Sequence, residues 1–145
     1  MRKLVLAVSM LAFAGSAAFA DPIADRQALM KERGKLVGGL AKVVKGDAAF
    51  DAAAVLDQLK ALEANAQKFD VATMFPAGSD KGETEAAPKI WEDPSGFKAA
   101  GDKYLANVKE AVAAAPDSVD ALKTSFGAVT ANCGGCHQPY RLKKS

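Results

Sequence analysis

The sequence predicts an all-α fold, an antiparallel four-helix bundle. Alanine is the commonest residue and β-branched runs are missing, which favours helix over strand. Four segments repeat their apolar residues at steps of three and four, so each has one face to bury. Short connections and a single long one join them, as in a bundle with one crossover. No stretch alternates as a strand does, and no internal repeat is present.

Residues 1–20 read as an export signal. Met1-Arg2-Lys3 is a basic start, Leu4 to Phe13 an apolar core, and Ala18-Phe19-Ala20 an A-x-A cleavage site before Asp21. The apolar run is short for a membrane span, and no other stretch is apolar enough, so the processed chain is expected to be exported and without a span. Residues 21–145 then suffice for one domain with its own core. Losing Arg2 and Lys3 takes the 19 Lys+Arg to 17, against 17 Asp+Glu. That balance gives no electrostatic footprint for nucleic acid. Arg141, Lys143 and Lys144 read as ordinary solvated residues of a basic tail.

The first helix is expected from about Pro22 to Val44. Asp21-Pro22 supplies a cap and a proline at the first helical position. Ile23, Met30, Val37 and Val44 recur every seven residues, and Leu29, Leu36, Leu40 and Val43 widen the stripe. Lys45-Gly46 is the stop. The second helix is expected from Asp51 to Phe69, with Asp51 as cap and an inner face of Val55, Leu56, Leu59, Leu62, Ala66 and Phe69. Residues 73–92 read as a long connection folding over one end or side of the bundle, anchored by Phe75, Ile90 and Trp91. Trp91, the only tryptophan, reads as a packing residue. Asp93-Pro94 opens the third helix, whose inner face is Phe97, Gly101, Tyr104, Leu105, Val108 and Val112. Pro116-Asp117 is expected to break the chain and cap the fourth.

The fourth helix carries the chemistry. Val119, Phe126, Cys133 and Tyr140 lie seven apart, with Leu122, Val129 and Cys136 in the next row. The helical spacing directs both cysteines inward, and His137, one turn after Cys133 on the same side, is expected to point inward with them. Cys133-Gly134-Gly135-Cys136-His137 has the Cys-x-x-Cys-His spacing of covalent haem attachment: two thioethers to one porphyrin, and an adjacent histidine as axial iron ligand. A redox Cys-x-x-Cys would follow a strand in an α/β domain, which is not predicted. Structural zinc takes four protein ligands, and the chain has only these three Cys and His residues. A disulfide across so short a loop would gain little entropy and strain the helix. One haem c per chain, bound inside the bundle near the C-terminal end of the fourth helix, is therefore expected. Export would place the cysteines where such attachment occurs, in a bacterial periplasm.

His137 is the sole histidine, so a second axial ligand within the chain is Met30, Met74, a lysine, or none. A lone methionine on an apolar stripe is more often core filler than ligand, and residue types alone leave the choice open.

The chain resembles the cytochrome c′ family, the class II c-type cytochromes, over essentially the whole of residues 21–145. The resemblance is carried by Arg26-Gln27-Ala28-Leu29-Met30-Lys31, Val44-Lys45-Gly46, Phe75-Pro76-Ala77-Gly78, Pro88-Lys89-Ile90-Trp91, Phe97, and Cys133 to Arg141, with the haem motif near the C-terminus. It implies a four-helix bundle enclosing the haem, with the first helix over the distal iron face. Four residues after Arg26, members with five-coordinate iron carry Leu or Phe; the low-spin branch carries methionine, and here the residue is Met30. The resemblance thus implies Met30 as distal ligand. It also implies that Arg26 and Gln27 approach a haem propionate, that Glu85 meets the haem edge through its backbone, and that Arg141 influences His137 from outside the ligand set.

Two functions follow. A periplasmic single-electron carrier would use His137/Met30-ligated low-spin haem and meet other periplasmic redox proteins. A five-coordinate cytochrome would instead bind nitric oxide or carbon monoxide at an open face. A peroxidase-like enzyme is disfavoured, because no second histidine exists to move protons, so the chain is expected not to be an enzyme. A homodimer through the first two helices is also implied by the resemblance.

Overall fold

The computed structural model describes residues 21–143. The export signal expected at 1–20, and Lys144 of the basic tail, lie outside the described residues. Six helices follow in order: α1 Pro22–Lys45, α2 Ala52–Gln67, α3 Val71–Met74, α4 Lys89–Glu92, α5 Pro94–Ala114 and α6 Val119–Tyr140. The four long ones are the four expected from periodicity.

Local chemistry sets most of their ends. Asp21 accepts hydrogen bonds from the Ile23 and Ala24 amides at 2.9 and 3.3 Å, with Pro22 at the first position. Gly46 closes α1 in the left-handed region at φ 82°, where a side chain would be strained. Asp51 caps α2 through the Ala54 amide, and Asp93 caps α5 through that of Gly96.

Two expectations need correction. The α6 cap is Ser118, whose hydroxyl accepts from the Ala121 amide at 3.2 Å, and not Asp117. Pro116 is buried and Ala115 turns through φ 40°, so the chain takes two further residues to reach helical geometry. The second helix ends at Gln67, and Phe69 leaves it to join an aromatic cluster. The long connection carries two short helices, α3, capped by Asp70 on the Thr73 amide at 2.8 Å, and α4.

The long helices close a ring in the order α1, α2, α5, α6 and back to α1. Hydrogen bonds fix the antiparallel sense. Asn65 near the end of α2 donates to the Leu29 carbonyl near the start of α1 (3.1 Å), and Tyr140 at the end of α6 donates to Asp93 at the start of α5 (3.1 Å). One half of the bundle is filled by Leu40, Val43, Val55, Leu59, Leu62, Val108, Ala111, Leu122, Phe126 and Val129. The other half is lined by aromatic rings. Phe97 meets Phe69, Phe75 and Tyr140 edge-on with centroids 5.5, 4.8 and 5.0 Å away. Trp91 packs on Phe75 and donates its indole N–H to the Phe75 carbonyl at 3.1 Å, the packing role expected of it.

Beyond α6 the chain runs back along the connection. The Ala87 amide donates to the Tyr140 carbonyl and the Leu142 amide to the Glu85 carbonyl, at 3.1 and 2.8 Å, around an isolated antiparallel bridge between Ala86 and Arg141. Among the described residues no helix is long and apolar enough to cross a membrane.

Candidate haem-attachment site

Cys133, Cys136 and His137 occupy the penultimate turns of α6. At 100° per residue they span an arc of about 100°, so they cannot all share the centre of the buried stripe. Leu122 and Val129 are fully buried; both cysteines are half-buried, and His137 is exposed along one side. The inward aim expected of all three therefore holds for the thiols and only in part for the imidazole. All three still line one cleft between α1, α5 and α6, with Met30, Arg33, Phe69, Ala100, Gly101, Tyr104 and Asn132. It encloses ≈ 450 Å³ including its open mouth.

Neither cysteine is in a disulfide. Burial raises the Cys136 thiol, with Arg33 acting in the opposite direction. The His137 imidazole is held below its ordinary value by burial first, then by Arg141 and Arg33, with Glu85 opposing. A depressed value favours the neutral ring, the form that binds iron. Among the described residues no three His, Cys, Asp or Glu side chains are placed to hold a bare metal ion.

Met30 is half-buried in this cleft. Met74 is elsewhere: it lines a separate groove with Asp25, Ala28, Leu29, Glu32, Lys68 and Thr73, and its carbonyl accepts from Arg26 at 3.1 Å. Arg26 is only 5 % exposed. Besides Met74 it donates to the Ser79 hydroxyl (3.0 Å), the Ser79 carbonyl (2.7 Å) and the Thr84 hydroxyl (2.7 Å), and it stacks over the Phe75 ring. Its four hydrogen bonds all go to the connection between α2 and α5, so the guanidinium is the pin of that loop. Gln27 assists by donating to the Glu83 carbonyl at 2.7 Å. Glu85 is exposed; its carboxylate lies 3.8 Å from the Arg141 guanidinium, an open ion pair of small energetic weight.

Sequence reasoning missed Arg33. Its Nε donates to Asn65 Oδ1 at 2.9 Å, its guanidinium lies 4.2 Å from the Tyr104 ring centroid, and its Nη2 is buried without a partner. Tyr104, fully enclosed apart from 5 % of its surface, has an unpartnered hydroxyl whose pKa burial pushes up to about 12. The signal was available: Arg33 follows Met30 by three, on the same helix face, and is a charged residue where an apolar one was due.

The cleft fits a covalently held porphyrin in its chemistry. It offers two unbridged thiols, an adjacent imidazole, apolar and aromatic walls, and two buried donors that no protein atom satisfies. A helical bundle with Cys-x-x-Cys-His at the end of its last helix defines a c-type cytochrome of the bundle class. Comparison with known proteins narrows this. The cytochrome c′ family model matches residues 21–141. The chain is 38 % identical over 131 residues to cytochrome c-556 of Agrobacterium fabrum, covering 90 % of this chain and 88 % of the relative. It is 38 % identical over 129 residues to cytochrome c′ of Rhodopseudomonas palustris, covering 86 % and 84 %. In structure it is similar to a nitric oxide complex of a cytochrome c prime variant from Alcaligenes xylosoxidans, with TM-score 0.77, 32 % identity and coverage of 88 % and 98 %. The chain belongs to the cytochrome c′ family, whose members carry covalently attached haem c.

Proposed function

We propose that this cytochrome is an exported, periplasmic single-electron carrier whose haem iron is held by His137 on one face and Met30 on the other. The observation that carries this reading is that Met30 lines the same cleft as Cys133, Cys136 and His137, while Met74 lines a different groove. Haem supplies a one-electron ferric/ferrous couple. Cys133 and Cys136 anchor it, and His137, its neutral form favoured by burial and Arg141, offers a lone pair to the iron. A thioether from Met30 would close the second face, favour the reduced state and leave little to rearrange on electron transfer. Arg26 and Gln27 hold the loop of residues 79–84 in place near the start of α1, where the resemblance puts the propionate edge. Redox proteins of the same compartment are the partners this function requires, and no catalytic role is assigned.

A second reading is favoured by the relatives named cytochrome c′ and by the nitric oxide complex of similar fold. In it Met30 is packing only, and the iron keeps an open face for nitric oxide or carbon monoxide. The absorption spectrum of the ferrous protein before and after carbon monoxide separates the two. A low-spin spectrum unmoved by the gas is expected. A high-spin ferric spectrum with ready carbon monoxide binding would replace the first reading by the second.

A further inference from the structure

We propose that Arg33 is a fixed, half-buried cation of the haem cleft that sets the iron's reduction potential upward, with Asn65 and Tyr104 holding it in position. The inference rests on haem occupying this cleft and does not depend on Met30 being a ligand.

The geometry is that of a held charge. Asn65, 1 % exposed, accepts from Arg33 Nε at 2.9 Å. It is itself fixed by donating to the Leu29 carbonyl at 3.1 Å and to the Glu32 carboxylate at 3.0 Å. The Tyr104 ring supports the guanidinium from below at 4.2 Å, and Phe69 lies 5.9 Å away. Guanidinium remains charged throughout the physiological range. No carboxylate among its described contacts neutralises it. The nearest acid in this network, Glu32, points to solvent and pairs with Lys68 at 3.2 Å. Arg33 Nη2 is buried in a cleft that the thiols and the imidazole also line. In such a site a charge is screened far less than on the surface.

The sign follows from charge balance. Reduction transfers one electron from an external donor to the iron, no covalent bond breaks, and the site becomes more negative by one unit. A nearby fixed cation stabilises the reduced form more than the oxidised one, so its removal must lower the potential. Burying the Arg33 Nη2 group without a partner also costs stability, which makes a purely structural role a poor account of its presence.

The test is redox titration of the haem-loaded protein carrying Arg33→Gln and Arg33→Lys, with covalent haem checked under denaturing conditions and ferric spectra recorded. Arg33→Gln is expected to shift the one-electron equilibrium at least tenfold toward the oxidised form, a fall of about 59 mV, with the ligand-field spectrum unchanged. Arg33→Lys, which keeps the charge, should retain most of the potential. Tyr104→Phe, which keeps the ring, should leave it within twofold. Equal potentials for the parent and Arg33→Gln overturn the proposal, as does an equal fall in the Gln and Lys variants. Loss of covalent haem in the parent protein would instead defeat the placement of haem on which it rests. Should Arg33→Gln fail to load, Asn65→Asp sets a carboxylate against the same guanidinium and must also lower the potential; no fall overturns the proposal.

Discussion

Replacing Arg26 by Met keeps an unbranched stem and removes the guanidinium. Four hydrogen bonds disappear, to the Met74 and Ser79 carbonyls and to the Ser79 and Thr84 hydroxyls, together with the stacking on Phe75 at 4.9 Å. Hydrogen bonds to a charged group contribute about 1.5–3 kcal/mol each. The four share one side chain, and acceptors near the surface would recover water, so they are not lost independently. The desolvation of a buried arginine, which lowers its pKa from the ordinary value, is also relieved. The net expectation is a loss of about 2–4 kcal/mol in urea unfolding of the haem-loaded protein. Amide exchange should accelerate at Ser79, Thr84 and Ala87, whose backbone groups are bonded within or beside the pinned segment. Arg26→Lys retains the charge but offers three donors on a point rather than a fork, and should recover only part. A change below about 0.5 kcal/mol, within the scatter of surface substitutions, would refute the reasoning. A shifted haem spectrum with unchanged stability would move Arg26 from loop pin to haem partner.

Other expectations are smaller in scope. Leu59, fully buried in the half of the bundle without the cleft, should cost about 2–5 kcal/mol when truncated to Ala, read from urea midpoints, with the haem spectrum unmoved. Ala115 sits at φ 40°, where a Cβ costs roughly 1–2 kcal/mol; Ala115→Gly gives back about 0.5–1 in chain entropy, so it should leave the melting temperature unchanged or slightly raised, and a clear fall would contradict the assigned backbone. Asp93 is held below its ordinary 3.8 by the Gly96 amide first and then by Tyr140. A depressed carboxylate contributes stability above its unfolded pKa and loses it as pH falls through the folded one. Asp93→Asn should therefore lower the melting temperature at neutral pH and flatten the acid limb below about pH 4, checked by thermal melts across pH.

The helices were legible because their signals are local. Asp21-Pro22, Asp51, Asp93-Pro94 and Gly46 each act within four residues, and the apolar periodicity of α1, α2, α5 and α6 was long enough to show their type. The failures involve long-range partners. Phe69 fits the α2 stripe by spacing, but it leaves the helix to meet Phe75 and Phe97 from later segments. Gly101 shows the same from the other side: a Cβ there would come within 2.6 Å of the Phe69 ring, a closeness invisible in either segment alone. Ser118 overtook Asp117 because a buried Pro116 delayed the turn. At the site, the attachment residues were readable from spacing. The engagement of Arg26 by residues about fifty positions away, and the inward placement of Arg33, needed the folded chain.

The most direct test is the ferric and ferrous spectrum of Met30→Ala beside Met74→Ala. The account predicts that Met30→Ala converts low-spin haem to high-spin and opens it to carbon monoxide, while Met74→Ala leaves the spectrum as it was. A Met30→Ala spectrum indistinguishable from the parent's, or conversion by Met74→Ala instead, would contradict it.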